Sequence, residues 1–147
     1  MERSQGSLLP QGFRYEVYKT VTATDVHLWA GLIGERSPVH GESVFAQQTA
    51  MSRRVAPGAY LIGLVADIAA RLAARVPPPG ASLETLRVHF VAPVLVGTTL
   101  RVVATVDGWD SATGRYWLDI QATRGDGSPA VLGWAWLRLH PTLLAVA

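Results

Sequence analysis

The 147-residue sequence predicts a single α+β domain in which an antiparallel sheet wraps around one long helix. With 49% hydrophobic and 16% charged residues, the composition is that of a compact globular protein. Residues 58–75 are apolar around most of the helical circumference, which is typical of a buried helix. After residue 83, strand-like segments are joined by turns too short for crossover helices, which indicates an antiparallel meander.

The segment before the long helix predicts an arm, a strand and a helix. Residues 1–12 are polar and contain Gly and Pro, so we expect a flexible arm. Apolar and polar residues alternate over 13–21, which predicts the first strand. Thr22 and Asp25 have the spacing of a capping box, and Gly34 suits a left-handed helix end. The predicted core-facing residues of this helix are Val26, Trp29, Ala30 and Ile33.

The long helix is predicted from Gly58 to Arg75, with Pro57 in its first turn and the Pro-rich stretch 76–80 ending it. A second, shorter helix is predicted over 42–50. The core positions expected on the long helix are Leu61, Ile62, Val65, Ile68, Ala69 and Leu72. The strands expected after it are 83–92, 99–109, 115–123 and 130–139.

Composition and motifs exclude several classes of function. There is no cysteine, the four histidines have no metal-binding spacing, and no phosphate-binding or dinucleotide loop is present. The net charge is only +2 and the arginines are scattered, which argues against nucleic-acid binding. The absence of a long apolar run or a signal-like start favours a cytoplasmic protein. Four tryptophans are more typical of core and interface packing than of a stacking platform: Trp109, Trp117, Trp134 and Trp136.

The loop after the first helix carries the candidate chemistry. Residues 34–40 read Gly-Glu-Arg-Ser-Pro-Val-His, which places a carboxylate at Glu35 and an imidazole at His40 on a Pro-stiffened loop. A carboxylate and an imidazole that face each other can hold a water molecule and transfer its protons. Two structural alternatives stay open: Glu35 as a solvated or arginine-paired carboxylate, and His40 as a loop histidine bonded to the backbone.

Three segments together indicate a family. Residues 35–40 read Glu-Arg-Ser-Pro-Val-His, residues 53–58 read Arg-Arg-Val-Ala-Pro-Gly, and residues 87–97 read Arg-Val-His-Phe-Val-Ala-Pro-Val-Leu-Val-Gly. In this order and spacing they resemble the MaoC-like (R)-specific enoyl-CoA hydratases and dehydratases, a branch of the hotdog-fold superfamily. The resemblance covers about residues 13–140 and implies one MaoC-like hotdog domain over 1–147.

The resemblance implies a carbon–oxygen lyase acting on 2-enoyl or 3-hydroxyacyl thioesters. It implies Glu35 as the base that activates water and His40 as the residue that orients it. The Gly58 amide would bind the thioester oxygen, and Pro57 would lie beside the substrate. Ser37 would either contact the substrate or hydrogen-bond within its loop. Guanidinium groups suit phosphate, so Arg53 and Arg54 could meet CoA or a carrier-bound phosphopantetheine, or form a solvated surface pair. A homodimer with joined sheets is implied, with a possible acyl carrier protein as partner and no metal or separate cofactor.

The chain departs from the family pattern near the chemistry. The family acid is usually Asp where this chain has Glu35, the residue before Gly58 is usually His where it has Pro57, and Ala66 stands in place of a small hydroxyl residue. These departures support two alternatives. One is a diverged hotdog enzyme, a cyclase or isomerase, in polyketide-type biosynthesis. The other is a non-catalytic hotdog subunit that binds a ligand or completes a heterodimer.

Overall fold

The computed structural model describes residues 9–34, 37–41 and 53–141. The helix predicted over 42–50 and most of the predicted arm lie outside these residues. None of the described helices is both long and apolar enough to cross a membrane. The elements of the described chain are β1 (Arg14–Thr20), α1 (Ala23–Ile33), α2 (Pro38–Gly41), α3 (Gly58–Ala73), β2 (Ala81–Phe90), β3 (Thr99–Asp110), β4 (Arg115–Thr123) and β5 (Pro129–Leu139).

The five described strands form one antiparallel sheet around α3, as predicted. The strand order is β1-β3-β4-β5-β2, and α3 contacts all five strands. The side chains that α3 buries are Tyr60, Leu61, Val65, Ile68, Ala69, Leu72 and Ala73. Ile62 was expected in this core, but it is 39% exposed because it lies at the margin of the buried stripe. The helix is therefore covered by the sheet on one side only within the described residues.

The prediction of a simple meander is wrong for β2. This strand pairs with β5 at the far edge of the sheet, and β3 pairs with β1 and β4. Residues 91–98 therefore cross three strand spacings of about 4.8 Å each, which eight extended residues span easily. The crossing brings this loop against residue 21, since the Gly97 amide donates to the Val21 carbonyl over 2.7 Å.

The predicted ends of α1 are confirmed. The Asp25 amide donates to Thr22 Oγ1 over 3.0 Å, the Thr22 amide donates to Asp25 Oδ2 over 2.9 Å, and Gly34 has φ 72°. The predicted apolar face is only partly confirmed, because Val26 is buried but Ile33 is 51% exposed. Within the described residues, α1 is held through its first turns and its last turn projects outward.

Replacing Asp25 is expected to remove a pH-dependent part of the stability. The Lys19 ammonium, 2.8 Å away, and the Thr22 amide lower the pKa of Asp25 from 3.8 to about 2. The carboxylate therefore stabilises the fold above about pH 4, and this contribution disappears as the pH falls toward 2. Urea unfolding should show Asp25→Asn less stable by up to about 1 kcal/mol at pH 6. The gap should close at low pH, and a gap independent of pH would contradict the assignment.

Gly133 in the middle of β5 allows the backbone of β2 to pack closely against β5. A Cβ at this position would lie 2.7 Å from the Arg87 carbonyl oxygen, a backbone atom that can move only if β2 moves. We expect Gly133→Ala to lower the free energy of unfolding by about 1–3 kcal/mol. Gly125→Ala is the matched control, because a Cβ there meets nothing within 4 Å. Equal urea midpoints for the two variants would contradict the prediction.

Candidate active site

His40 is positioned by the short helix α2, which begins at Pro38. The His40 amide donates to the Ser37 carbonyl over 3.1 Å, and proline at the first helical position favours this turn. The Val55 amide donates to the Val39 carbonyl over 3.3 Å. Residues 37–41 are thus tied to the segment that leads into α3.

The imidazole of His40 is oriented by a backbone carbonyl. His40 Nδ1 lies 2.7 Å from the Val55 oxygen in a half-buried position. A carbonyl oxygen only accepts, so Nδ1 carries the hydrogen and the neutral ring has its lone pair on Nε2. The backbone-bonded alternative for His40 is therefore confirmed in its geometry. It does not compete with a catalytic role, since the bond holds the tautomer in which Nε2 can accept a proton.

The segment from residue 54 to residue 57 joins His40 to the start of α3. The Val96 amide donates to the Arg54 carbonyl over 2.9 Å, and the Ala56 amide donates to the Val94 carbonyl over 2.7 Å. Ala56 and Pro57 are buried. The loop that crosses the sheet end therefore holds the carbonyl that orients His40, three residues before Gly58.

The first turn of α3 offers backbone donors. The helix begins at Gly58, as predicted, and Pro57 directly before it is the N-cap and supplies no capping side chain. Within the described residues the Gly58 amide makes no hydrogen bond, so it can donate to an oxygen at the positive end of the helix dipole. A Cβ on Gly58 would lie 3.1 Å from Phe90 Cζ, so the ring covers this residue closely.

A pocket of about 260 Å³ opens beside Gly58. Its walls are largely apolar, and Phe90 and Val91 at the end of β2 are each about half exposed. The lining residues come from the start of α3 and from the crossing loop: Val55, Ala56, Gly58, Leu61, Phe90, Val91, Ala92, Pro93 and Val94. An apolar pocket with one converging backbone donor suits a carbonyl compound with a hydrocarbon part.

The predicted site residues have different outcomes. His40, Pro57 and Gly58 belong to one framework through the 54–57 segment, whereas Glu35 lies outside the described residues. Ser37 is exposed, and its carbonyl accepts the His40 amide. Arg53 is exposed and Arg54 half-buried, and neither forms an ion pair with a described residue. Their predicted contact with phosphate stays a prediction.

Sequence reasoning did not find the Val55 carbonyl that accepts from His40, nor two buried side-chain donors on Trp29 and Tyr60. The Val55 carbonyl is a backbone atom, so no residue type reveals it. Trp29 Nε1 and the Tyr60 hydroxyl are buried without a hydrogen-bond partner among the described residues, and their rings meet edge to face at 6.0 Å. Burial, together with the nearby charge of Asp25, raises the pKa of Tyr60 to about 12. The phenol therefore stays protonated and able to donate. Periodicity identifies these two residues only as apolar.

Comparisons with known proteins identify the family of this chain. The family model described as "MaoC like domain" matches residues 6–117. An (R)-specific enoyl-CoA hydratase of Rhodospirillum rubrum is 34% identical over 100 residues, which are 68% of this chain and 67% of that protein. A 3-hydroxybutyryl-CoA dehydratase of Methylorubrum extorquens is 36% identical over 88 residues, which are 60% of this chain but only 54% of that protein.

Solved structures of (R)-hydratases resemble the whole fold. One of them is the (R)-hydratase of A. caviae, described as involved in PHA biosynthesis. It superposes with a TM-score of 0.81 at 25% identity, and the match covers 93% of this chain and 100% of that chain. A Pseudomonas aeruginosa R-hydratase gives a TM-score of 0.77 at 26% identity, over 88% of this chain and 81% of that chain. Because the family model covers most of the sequence and these folds agree, this chain belongs to the MaoC-like hydratase and dehydratase family and has the hotdog fold, as its sequence predicted.

Proposed function

We propose that this protein adds water reversibly to 2-enoyl thioesters to form 3-hydroxyacyl thioesters. The observation that carries the proposal is the 2.7 Å bond from His40 Nδ1 to the Val55 carbonyl. This bond leaves Nε2 as the acceptor in the neutral ring, on the same framework as the Gly58 amide. The names of the two curated relatives support a carbon–oxygen lyase of this kind.

In the proposed reaction, the oxygen of water bonds to Cβ of the enoyl group while a water proton passes to Glu35. His40 Nε2 orients this water and shares in the proton transfer. The proton that Glu35 accepted is then delivered to Cα, which restores the carboxylate and completes the addition. Negative charge develops on the thioester oxygen, to which the Gly58 amide donates at the positive end of α3. The step is redox-neutral, and we propose that it needs no metal or cofactor beyond the substrate's own CoA or phosphopantetheine.

The remaining site residues are assigned to the acyl and phosphate parts of the substrate. We assign the acyl part to the pocket beside Gly58. The buried Pro57 directly precedes Gly58, and Ser37 lies on the exposed turn before His40. We propose that Arg53 and Arg54, which form no ion pair with a described residue, bind phosphates of CoA or of an acyl carrier protein. We further propose a cytoplasmic homodimer joined through a sheet edge, since β1 and β2 each have one unpaired edge in the described chain.

The direct test is to measure hydration of crotonyl-CoA and longer enoyl-CoA esters. The reaction is monitored by the loss of the enoyl-thioester ultraviolet absorbance, and the product is identified by mass spectrometry. The proposal expects a product heavier by one water molecule. Carrier-bound enoyl substrates should be tested in parallel, since the phosphate-binding chemistry is the same. A folded protein that binds acyl-CoA but turns over neither kind of substrate would overturn the proposal and favour a non-catalytic subunit.

A further inference from the structure

The outer face of the sheet carries an aromatic cluster that the active site does not use. The cluster consists of Trp117 on β4 and Trp134 and Trp136 on β5. The Trp117 and Trp136 rings stack with centroids 6.5 Å apart, and Trp134 and Trp136 lie 5.7 Å apart. Trp117 is 47% exposed, and a groove of about 390 Å³ runs between the rings. Exposed aromatic surface of this kind is typical of protein interfaces.

Opposite charges flank this cluster on its two sides. Arg87 on β2 lies with its guanidinium 5.0 Å from the centre of the Trp134 ring. On the other side, Asp119 on β4 and Asp107 on β3 line the groove. None of these three residues forms an ion pair with a described residue, whereas Glu16 and Glu84, on other parts of this sheet, are both paired with arginines.

The strand register makes the face complementary to itself. Arg87 lies opposite Trp134 across the β2–β5 pair, and Trp134 lies opposite Asp119 across the β4–β5 pair. The three residues thus form one row across the strands with Trp134 in the middle. A twofold axis parallel to β5, above Trp134, exchanges the two ends of this row. Each Arg87 then meets Asp119 of the second copy, and the rings cover one another.

From this register we propose that two copies of the chain pack outer face to outer face around Trp134. The contact is isologous and closed, overlaps β4, β5 and β2 of each copy, and forms two ion pairs at the ends of an aromatic centre. Other occupants fit less well: an acidic partner would meet the two carboxylates, and a cationic ligand would meet Arg87. This contact is separate from the sheet-edge contact proposed above and lies on the opposite side of the sheet from α3.

The test is a charge exchange followed by light scattering on a sizing column. Arg87→Glu and Asp119→Arg should each halve the particle mass, since each places like charges at both contacts. Mixing the two variants should restore the wild-type mass, because each contact then again joins opposite charges. The double variant Arg87→Glu/Asp119→Arg should restore it as well. Arg14→Glu, at the β1 end of the same row and outside the overlap, is the matched control and should leave the mass unchanged.

Enoyl-thioester hydration should remain at the wild-type level in both single variants, so failure of this proposal and failure of the proposed function are distinguishable. Circular dichroism should confirm that each variant is folded. A wild-type mass equal to that of folded Arg87→Glu would overturn the face-to-face contact. Failure of the mixed variants to regain the wild-type mass would overturn it too.

Discussion

His40→Ala is expected to lower kcat/KM for enoyl-thioester hydration by about 10²–10⁴-fold, the usual cost of losing a general acid–base residue. The physical reason is the tautomer: the Val55 carbonyl holds the hydrogen on Nδ1, which leaves Nε2 to orient water and exchange a proton. The measurement is the initial rate on crotonyl-CoA at saturating and subsaturating substrate. Activity of His40→Ala at the wild-type level would contradict the assignment.

Two further variants separate chemistry from structure at this position. His40→Asn retains an N–H that can reach toward the Val55 carbonyl but has no basic ring nitrogen, so it should preserve stability better than His40→Ala and restore no activity. His27 is an exposed histidine on α1 and serves as the matched control. His27→Ala should leave the rate unchanged. If His40→Asn recovered most of the wild-type rate, the role of His40 would be to hold the turn.

Gly58→Ala is expected to lower kcat by about 10²-fold, the lower end of the cost of losing one oxyanion donor. A methyl group at this position would lie 3.1 Å from Phe90 Cζ and 3.4 Å from Cε2, so it would displace the ring and reduce the space in front of the amide. The thioester oxygen could then no longer approach the backbone donor. Stability should change little, because alanine is a good helix former. A kcat close to the wild-type value would contradict the placement of the oxygen at Gly58.

Gly63→Ala is the control within the same helix. Its Cβ would make an ordinary contact of 3.6 Å with the Trp29 ring, so it should preserve activity and raise the free energy of unfolding by about 0.5–1 kcal/mol. Combining Gly58→Ala with Phe90→Leu distinguishes the two consequences of the clash. A double variant that stays slow shows that the methyl group itself blocks the amide, and a fast one shows that the displaced ring was responsible.

Local chemistry made most elements predictable from the sequence. The capping box of Thr22 and Asp25 depends on atoms three residues apart, and Gly34 adopts its positive φ whatever the distant fold does. Strand β4 was predicted at its observed bounds because its alternation has no competing signal. The three spaced segments that include 35–40 also sufficed to identify the family. Glu35 lies outside the described residues, so its predicted role still depends on that resemblance.

Contacts between distant residues were decided only by the tertiary structure. β2 lies beside β5 because the crossing loop 91–98 bridges the sheet end, and no local pattern encodes that choice. The exposure of Ile33 and Ile62 depends on how much of each helix the sheet covers. The sequence by itself determined the elements, the family and His40 as a candidate. The tertiary structure decided which His40 nitrogen can act, because the Val55 carbonyl that orients the ring is a backbone atom fifteen residues away.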